Sequence, residues 1–313
     1  MRSVSRKRGV ALITAMLITA LAASVAASLS WDNALDVRRT MVMLYRDQAI
    51  QVAVGSEGWV RNILRDDQAS STSDHLDEIW ATEIPALPID AQAVQGEIYG
   101  EIQDLQGRFN INNLIDASGQ THQPSLEQFK RLLAALGLED RLAEIIADWL
   151  DADQTESIPF GAEDPLYTGL TPPYRTANRP ILSVSELAAV DGMDRSSFDI
   201  LLPHVTALPG RTPINVNTAS APVLQSLGSN ITLSDAEGLI ALREGGGFAD
   251  YGGVFAPLVE ADLQQDGFSE TSSYFQLKAV VQIDTVRISL FTLLYRNPNG
   301  SDVIPILRSL GTI

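Results

Sequence analysis

The residues RKRGVALIT, at positions 6–14, open the stretch of sequence that decides the fold. From Val10 to Leu29 the chain carries no charged residue, and about 20 such residues form a helix long enough to cross the hydrocarbon of a bilayer. Basic residues precede this stretch, whereas Asp32 and Asp36 follow it. Because positive charge favours the cytoplasmic side, we expect a single span with the bulk of the chain outside the cytoplasm.

A cleaved secretory signal peptide is the simpler alternative, since small residues between Ala22 and Ala27 offer a cleavage site. The apolar pattern, however, continues beyond that point at helical spacing and without a proline. It favours one helix of roughly 50 residues, half in the membrane and half packed on a folded domain. The pattern runs through Leu35, Val37, Met41, Leu44, Ile50, Val54 and Val60.

Composition limits the classes of function. The chain has 313 residues, 45% of them hydrophobic, which suffices for one or two domains with a buried core. With 39 acidic residues against 22 basic ones, its formal net charge is -17, and such a chain should repel nucleic-acid phosphates. It has no cysteine, which excludes disulfides, thiolate metal sites and cysteine nucleophiles.

The sequence lacks the patterns typical of enzymes. Its three histidines, His75, His122 and His204, lie far apart, without the spacing of a zinc hydrolase. It has no Gly-x-Ser-x-Gly elbow, and Gly245–Gly247 is not followed by the Lys-Ser or Lys-Thr of a phosphate-binding loop. We therefore expect no catalytic residues and no enzymatic activity.

Strand patterns flank the middle of the chain. Residues 67–92 are polar and contain prolines, which predicts an irregular connection. From Val94 to Asp104 apolar residues fall on alternate positions, which predicts a half-buried strand. The same alternation from Phe275 to Ile283, and again after Asp284–Thr285, predicts a β-hairpin.

Helical patterns dominate from about residue 108 to 270. Ser125, Ser183 and Ser234 are each followed three residues later by Gln or Glu, which predicts capped helix starts. The apolar stripe after Ser125 is typical of a core-facing helix, with Gly137 as a break. A long first helix, a strand, a helical region and terminal strands together predict an α+β fold.

A cluster of carboxylates falls in a stretch without Lys or Arg. Oxygen ligands at this density suit calcium, and Asp148 and Asp151 lie near a predicted helix C-terminus, where the helix dipole disfavours anions. A solvated acidic loop is the alternative. The stretch is not an EF-hand, because counting from Asp151 puts Glu156 where that loop needs glycine. The candidate ligands are Asp148, Asp151, Asp153, Glu156, Glu163 and Asp164.

Residues 6–14 also look like the prepilin peptidase site of the pilin and pseudopilin families. Together with five further segments, they resemble the type II secretion minor pseudopilin family GspK. Those segments are GRFNINNL at 107–114, DWLDAD at 148–153, GAED at 161–164, PYRTAN at 173–178 and INVNTA at 214–219.

The resemblance implies cleavage after Gly9 and methylation of the new N-terminal residue, Val10. Most pilin-like subunits carry Glu at the fifth mature position, where this chain has Thr14, as GspK proteins do. A carboxylate in bilayer hydrocarbon needs a compensating cation, and the proposed one is another subunit's N-terminal amine. A subunit with Thr14 makes no such pair, so we expect it at the leading end, or tip, of the filament.

The resemblance further implies a pilin-like fold that carries a large helical insertion domain. We expect a leader at 1–9, a transmembrane and packing helix at 10–66, pilin-like segments at 67–107 and 271–313, and the insertion at 108–270. Calcium is implied as a cofactor of the insertion. The implied partners are other minor pseudopilins, the major pseudopilin and prepilin peptidase. The implied location is the bacterial inner membrane, with the C-terminal domain in the periplasm and a role in starting or limiting filament assembly for protein export.

Two other functions stay open. One is a membrane-anchored periplasmic scaffold unrelated to filaments. The other is DNA binding, because residues 214–219, Arg243 and Gly246–Phe248 resemble a helix-hairpin-helix module. The corresponding hairpin, Leu227–Ile231, lacks the usual Gly-hydrophobic-Gly turn and its surroundings are acidic, so we expect no nucleic-acid partner.

Overall fold

The computed structural model describes residues 6–91, 94–300 and 302–311; residues 1–5 of the predicted leader lie outside this part of the chain. The helices are α1 (Arg6–Ser70), α2 (Gln123–Ala135), α3 (Leu142–Leu150), α4 (Asp164–Tyr167), α5 (Arg195–Leu201), α6 (Ala221–Ser226), α7 (Leu233–Arg243) and α8 (Tyr251–Phe255). The strands are β1 (Ile84–Ala91), β2 (Val94–Asp104), β3 (Phe109–Asn110), β4 (Val205–Thr206), β5 (Ile214–Asn215), β6 (Phe268–Ser269), β7 (Tyr274–Ile283), β8 (Val286–Arg296) and β9 (Val303–Leu310). Short 3-10 helices cover Ile79–Ala81, Ile111–Leu114, Val184–Ala189, Leu202–His204 and Ala261–Leu263. This mixture of helices and strands confirms the predicted α+β class.

Helix α1 is 65 residues long and contains the uncharged stretch of the sequence. Its segment Gly9–Ser70 is long and apolar enough to cross a membrane, and none of its most apolar window is buried against the rest of the chain. The structure therefore confirms one continuous helix where the apolar pattern predicted it.

Helix α1 ends at Ser70 rather than at residue 66. The predicted polar connection begins at residue 67, but Asp67 continues the helix and is held in place by an ion pair with Arg296, at 3.0 Å. In the last turn, Ser70 Oγ donates to the carbonyl oxygen of Asp66 at 2.9 Å. Neither glycine nor proline interrupts these residues, so the helix continues until the chain turns toward β1.

A five-stranded antiparallel sheet, in the order β1-β2-β7-β8-β9, packs against α1. The β7–β8 hairpin pairs Ile283 with Val286, and its turn residue Asp284 has a φ of 52°, a left-handed conformation that Asp tolerates. Both the strand predicted at 94–104 and the predicted hairpin are confirmed.

Strand β1 contradicts the prediction that 67–92 is an irregular connection. It contains Pro85 and Pro88, which have no backbone donor for a sheet ladder. Because β1 lies at the edge of the sheet, one of its sides has no neighbouring strand to accept hydrogen bonds. Prolines are therefore tolerated in this strand. The pairing of β1 with β2 shifts between Ile84 and Leu87, around the first of these prolines.

One face of the sheet is buried by the half of α1 that follows the uncharged stretch. Ala49 and Ala53 are fully buried against Val281, Ile283 and Leu290. A second cluster lies closer to the end of the helix; its buried members are Val60, Leu64, Trp80, Ile102, Phe275, Leu277, Ala279, Leu294 and Val303.

An ion pair between a buried carboxylate and a half-exposed arginine crosses the same interface. Arg308 of β9 donates from Nε and Nη2 to the two carboxylate oxygens of Glu57 on α1, both at 2.7 Å. Thr292 of β8 donates a further hydrogen bond to Glu57, at 2.8 Å. Burial alone would raise the pKa of Glu57, but the hydrogen bonds from Arg308 and Thr292 hold it below its usual value.

The residues between β2 and β7 form a helical body with its own hydrophobic core, which extends from Phe109 to Leu263. The predicted helical region is therefore confirmed, whereas its boundaries as a domain, at 108 and 270, stay a prediction. Buried asparagines connect its loops. Asn112, for example, donates to the carbonyl oxygens of Ile181 and Leu208 and accepts from the amide of Ile181.

The caps of these helices differ from those predicted. Helix α2 begins one turn earlier than expected, because His122 rather than Ser125 is the N-cap and accepts from the Ser125 amide. At α7 the capping box joins Thr232 and Asp235, not Ser234 and Glu237. Competing cap residues stand close to each predicted cap, so the sequence pattern alone does not choose between them.

The third predicted cap is partly confirmed. Ser183 does precede a helical turn and accepts from the Ser185 amide, at 3.2 Å. The Glu186 carboxylate accepts from the amide of Leu182, one residue before the predicted donor. The break predicted at Gly137 is present, since this glycine follows α2 with a φ of 70°.

A single buried carboxylate ties the sheet to the helical body. Asp104, the last residue of β2, accepts through Oδ2 from Asn215 Nδ2, Thr218 Oγ1 and Ser272 Oγ, at 2.9, 2.6 and 2.7 Å. Its Oδ1 accepts from the Gln106 amide at 2.8 Å. Four donors on one carboxylate fix the direction in which the helical body leaves the sheet.

Candidate metal centre

The acidic residues singled out in the sequence lie at the end of α3 and in the loop that follows it. Asp148 occupies the last turn of α3, Asp151 caps its C-terminus and Glu163 immediately precedes α4. All three are buried. The partial negative charge at the C-terminus of α3 adds to the cost of burying the first two as anions.

Three of these buried carboxylates have an oxygen without a hydrogen-bond partner among the described residues. The oxygens are Asp148 Oδ1, Asp151 Oδ1 and Glu163 Oε1. Each is an acceptor, and burying an unpaired carboxylate oxygen is costly. These oxygens therefore need a cation or a proton to compensate their charge.

Asn178 adds a fourth buried oxygen, and it was not among the predicted ligands. Its Nδ2 donates to the backbone oxygen of Asp153 at 3.0 Å, whereas its Oδ1 has no partner in the described structure. The only signal in the sequence was its place at the end of the PYRTAN segment.

The other predicted ligands have partners of their own. Asp153 Oδ1 accepts from the Thr155 amide at 2.8 Å, a hydrogen bond that lowers the pKa of Asp153. Asp164 Oδ1 accepts from the amide and the hydroxyl of Thr176, at 3.1 and 3.0 Å. Glu156 is exposed on the loop, and its role as a ligand stays a prediction.

The loop is held close to α3 by contacts at Asp148. Asp148 Oδ2 accepts from the amide of Ser157, at 2.9 Å. Gly161 passes so close to this carboxylate that a Cβ there would lie 2.1 Å from Oδ2. A glycine is therefore required at position 161, whatever the carboxylates bind.

The electrostatics of the site favour neutralisation. Burial, followed by the charges of Asp153 and Asp148, raises the pKa of Asp151 to about 7. Burial also raises the pKa of Glu163 to about 7 and that of Asp148 above its usual value. Each carboxylate is thus poised to take up a proton or to share a cation.

The residues present fit a calcium ion in chemistry. Calcium binds six to eight oxygens from carboxylates, amides and backbone carbonyls, and four buried oxygens here lack any donor in the described structure. No three carboxylates of the loop bring ligand atoms within 4.8 Å of one another; in the described part of the chain, only Asp67, Asp74 and Glu78 do so. Trp149 Nε1 is also unpartnered, and as a donor it does not serve as a ligand.

The predicted processing and tip residues lie on the exposed N-terminal part of α1. Gly9 and Val10 are exposed members of the helix. Thr14 Oγ1 donates to the carbonyl oxygens of Val10 and Ala11, at 3.1 and 3.0 Å. The hydroxyl is therefore satisfied within its own helix.

The segment that resembles a helix-hairpin-helix module forms α6 and α7. Arg243, at the end of α7, is 8% exposed and donates to the backbone oxygen of Val216 at 2.6 Å. In this position it supports the INVNTA loop from within the protein.

Comparison with known proteins gives consistent matches. Models of the family "Type II secretion system (T2SS), protein K" match residues 107–210 and 214–278. The chain is 35% identical to the type II secretion system protein K of Pseudomonas aeruginosa, over 94% of this chain and 90% of that one. It is 30% identical to the protein K of Aeromonas hydrophila, over 97% of each chain.

A solved structure has the same fold. The crystal structure of the GspK-GspI-GspJ complex from enterotoxigenic Escherichia coli contains a chain that superposes with a TM-score of 0.76 at 24% identity. The match covers 88% of this chain and all of that one. The expected pilin-like fold is thus confirmed, and the two relatives show that the chain belongs to the type II secretion system protein K family, also called GspK.

Proposed function

We propose that this component of type II secretion is a minor pseudopilin that occupies the tip of the pseudopilus and helps to start or limit its assembly. The observation that carries the proposal is Thr14. Its hydroxyl is bonded to the carbonyl oxygens of its own helix, so it offers no carboxylate to the N-terminal amine of a subunit ahead of it. A subunit that lacks this pairing gains least from an internal position.

The shape of the chain supports the same position. The helical body is fixed to the sheet through Asp104, and it comprises more than half of the described residues beyond α1. A filament built from closely packed, parallel α1 helices has little room to repeat such a body along its side. At the tip, the body projects without a steric conflict.

The proposal includes a precursor that is cleaved after Gly9 and methylated on Val10. The mature helix remains in the inner membrane, with the sheet and the helical body in the periplasm. The partners are the other minor pseudopilins and the major pseudopilin, in line with the structural neighbour, which was solved as a complex of GspK with GspI and GspJ. The role is structural rather than catalytic.

Replacing Thr14 tests the proposal. If the missing carboxylate decides the position, Thr14→Glu should allow the subunit to enter the filament behind another subunit. Thr19→Glu is the matched control, because it adds the same charge to the same exposed part of the helix but not at the position where pilin-like subunits carry Glu. Internal incorporation of neither variant would remove Thr14 as the cause and leave the bulk of the helical body as the explanation. Internal incorporation of both variants would contradict both the role of Thr14 and that of the bulk.

We further propose that calcium organises the loop between Asp148 and Asn178. Asp148, Asp151, Glu163 and Asn178 supply the buried oxygens that lack donors, and Asp153 and Asp164 belong to the same loop. Calcium would cancel the repulsion among these carboxylates and hold the loop on α3. Its function would be to stabilise the fold.

Calorimetric titration of the chelated full-length protein in detergent tests this second proposal. We expect binding heat, together with a melting temperature that falls on chelation. At calcium concentrations a hundredfold above Kd, binding adds about 2.7 kcal/mol to the free energy of unfolding. The double variant Asp151→Ala, Asp153→Ala should lose both effects. A wild type that gives no binding heat and no change of melting temperature on chelation would contradict the calcium site.

A further inference from the structure

A second cluster of carboxylates lies far from the acidic loop in sequence, where α1 ends. Asp67 belongs to the last turns of α1, and Asp74 and Glu78 follow in the connection to β1. Their oxygens approach to within 4.8 Å of one another, which makes this the most concentrated group of acidic oxygens in the described structure. None of these three residues belongs to the proposed calcium site.

One arginine is embedded in this cluster. Arg296, at the end of β8, is 4% exposed and packs over the ring of Phe275. Its Nη1 lies 3.0 Å from Asp67 Oδ2, and its Nη2 contacts the carboxylate of Asp74. The same Nη2 donates to the backbone oxygen of Ser272, at 2.8 Å.

Negative charge exceeds positive charge in this cluster. The groups that face Asp67 are Asp74, Glu78 and Arg296. His75 adds its imidazole, whose Nε2 lies 3.7 Å from Glu78 Oε1. Asp104 adds a fourth carboxyl group behind Ser272, which donates its amide to Asp74 and its hydroxyl to Asp104. Asp67, Asp74 and Glu78 thus surround one guanidinium and one half-buried imidazole, and Asp104 behind them also faces the charge of Arg108.

The cluster connects parts of the chain that are distant in sequence. Through Asp74 it joins the end of α1 to the Ser272 amide, in the segment that leads from the helical body into β7. The backbone oxygen of Asp74 also accepts from Asn215 Nδ2, within the helical body. If this cluster loosens, the helical body loses one of its attachments to the membrane helix.

We propose that Asp67, Asp74, Glu78 and Arg296 form a proton-operated latch that holds the helical body on the end of α1 while the cluster retains a proton. A polar cleft of about 200 Å³, lined by Asp67, Asp74, Arg296 and nearby serines, gives solvent access to the cluster. Deprotonation leaves the carboxylates to repel one another, and the connection at 71–78 separates from Ser272.

The titration of Asp67 sets the direction of the response. Burial, followed by the charges of Glu78 and Asp74, raises the pKa of Asp67 to about 7 from a usual value of 3.8. A group whose pKa is raised by folding stabilises the fold below its unfolded pKa, and this stabilisation is lost as the pH rises through the folded pKa. The latch is therefore most stable in mild acid and loses this stabilisation as the pH rises to neutral.

Thermal unfolding and hydrogen exchange of the full chain in detergent test the proposal between about pH 5 and pH 8, a range that covers the approach to the folded pKa of Asp67 and the plateau above it. We expect the wild-type melting temperature to fall as the pH rises, and the variant Asp67→Asn, which keeps an acceptor for Arg296, to show a weaker fall. The difference between the two proteins removes the titration of the acidic loop, which both share. Asp66→Asn is the control, because Asp66 is the adjacent acid, is exposed and should follow the wild type.

Exchange of the Ser272 amide reports on the latch itself, because this amide donates to Asp74. After correction for intrinsic rates, its exchange in the wild type should accelerate by up to about tenfold per pH unit as the pH rises toward 7 and then level off, whereas it should stay constant in Asp67→Asn. Identical pH responses in the two proteins, or a wild type that becomes more stable than the variant as the pH rises, would overturn the proposal. If Asp67→Asn does not fold, Glu78→Gln replaces it and should shift the wild-type response to lower pH, because the charge of Glu78 helps to raise the pKa of Asp67; an unchanged response would contradict the latch.

Discussion

Asn178 closes the acidic loop by donating from Nδ2 to the backbone oxygen of Asp153, over 3.0 Å. It does so from a left-handed backbone conformation, with a φ of 45°, and its own amide donates to the backbone oxygen of Trp149 at 3.1 Å. Asparagine is one of the few residues other than glycine that adopt this conformation readily. Its side-chain oxygen, buried and without a donor in the described structure, is therefore oriented by the backbone before any ion binds.

We predict that Asn178→Gly lowers calcium affinity about tenfold, within the range expected for the loss of a ligand or of its supporting contacts. Glycine keeps the left-handed backbone, so the lost affinity reports on the amide group rather than on strain. Calorimetric titration provides the measurement. Glu97→Gln is the control, because Glu97 is exposed on β2, outside the acidic loop, and its removal should leave the affinity unchanged. If Asn178→Gly lowers the calcium affinity no more than the control does, Asn178 is not part of the site.

Asp151→Asn should have opposite consequences with and without calcium. Without the ion, Asp151 is a buried carboxylate with an unpartnered oxygen, so a neutral amide of the same shape should leave the melting temperature unchanged or raise it. With excess calcium the wild type should gain about 2.7 kcal/mol at a hundredfold excess over Kd, and the variant should gain little. Thermal melts in chelator and in calcium measure both effects. A variant that melts lower than the wild type in chelator and still responds to calcium would contradict the site.

The sequence was sufficient for the architecture, because the apolar pattern of α1 and the alternation in β2, β7 and β8 depend on burial of one face. The sequence did not predict β1. A proline such as Pro85 argues against a strand except at the edge of a sheet, and tertiary pairing decides which strand lies at the edge. For the candidate metal centre, the density of carboxylates indicated a loop in which three buried carboxylates each have an oxygen without a partner in the described structure. Asp151 is buried, however, whereas Glu156 is exposed, and the spacing of residues in the sequence does not reveal this difference.

The ion pair between α1 and β9 should respond asymmetrically to mutation. Arg308→Met leaves the buried Glu57 carboxylate with only the Thr292 hydroxyl, so we expect a loss of about 3 kcal/mol of unfolding free energy. Glu57→Met leaves Arg308, whose side chain is 48% exposed and remains hydrated, so the loss should be nearer to about 1 kcal/mol. Urea unfolding of both variants provides the comparison, with the exposed Glu97→Gln as a neutral control. A larger loss for Glu57→Met would contradict this expectation and show that the attraction between Glu57 and Arg308 matters more than the cost of leaving the buried carboxylate unpaired.

Processing of the precursor should leave Val10 as the first residue. We expect mass spectrometry of protein extracted from membranes to find a chain that begins at Val10 and carries one methyl group on its amine. Gly9→Leu should block this processing, whereas Thr19→Val, within the same helix, should not affect it. A chain that begins at Met1, or after the small residues near Ala27, would contradict the pseudopilin proposal and favour a scaffold or a secreted protein.

The position of the chain at the end of the filament is the central claim, and labelling tests it most directly. The chain has no cysteine, so Asn230→Cys on the exposed surface of the helical body introduces a single site for a gold-conjugated maleimide. Electron microscopy of assembled pseudopili that contain this variant should show one label at one end of each filament. Labels distributed at intervals along the filaments would contradict the claim.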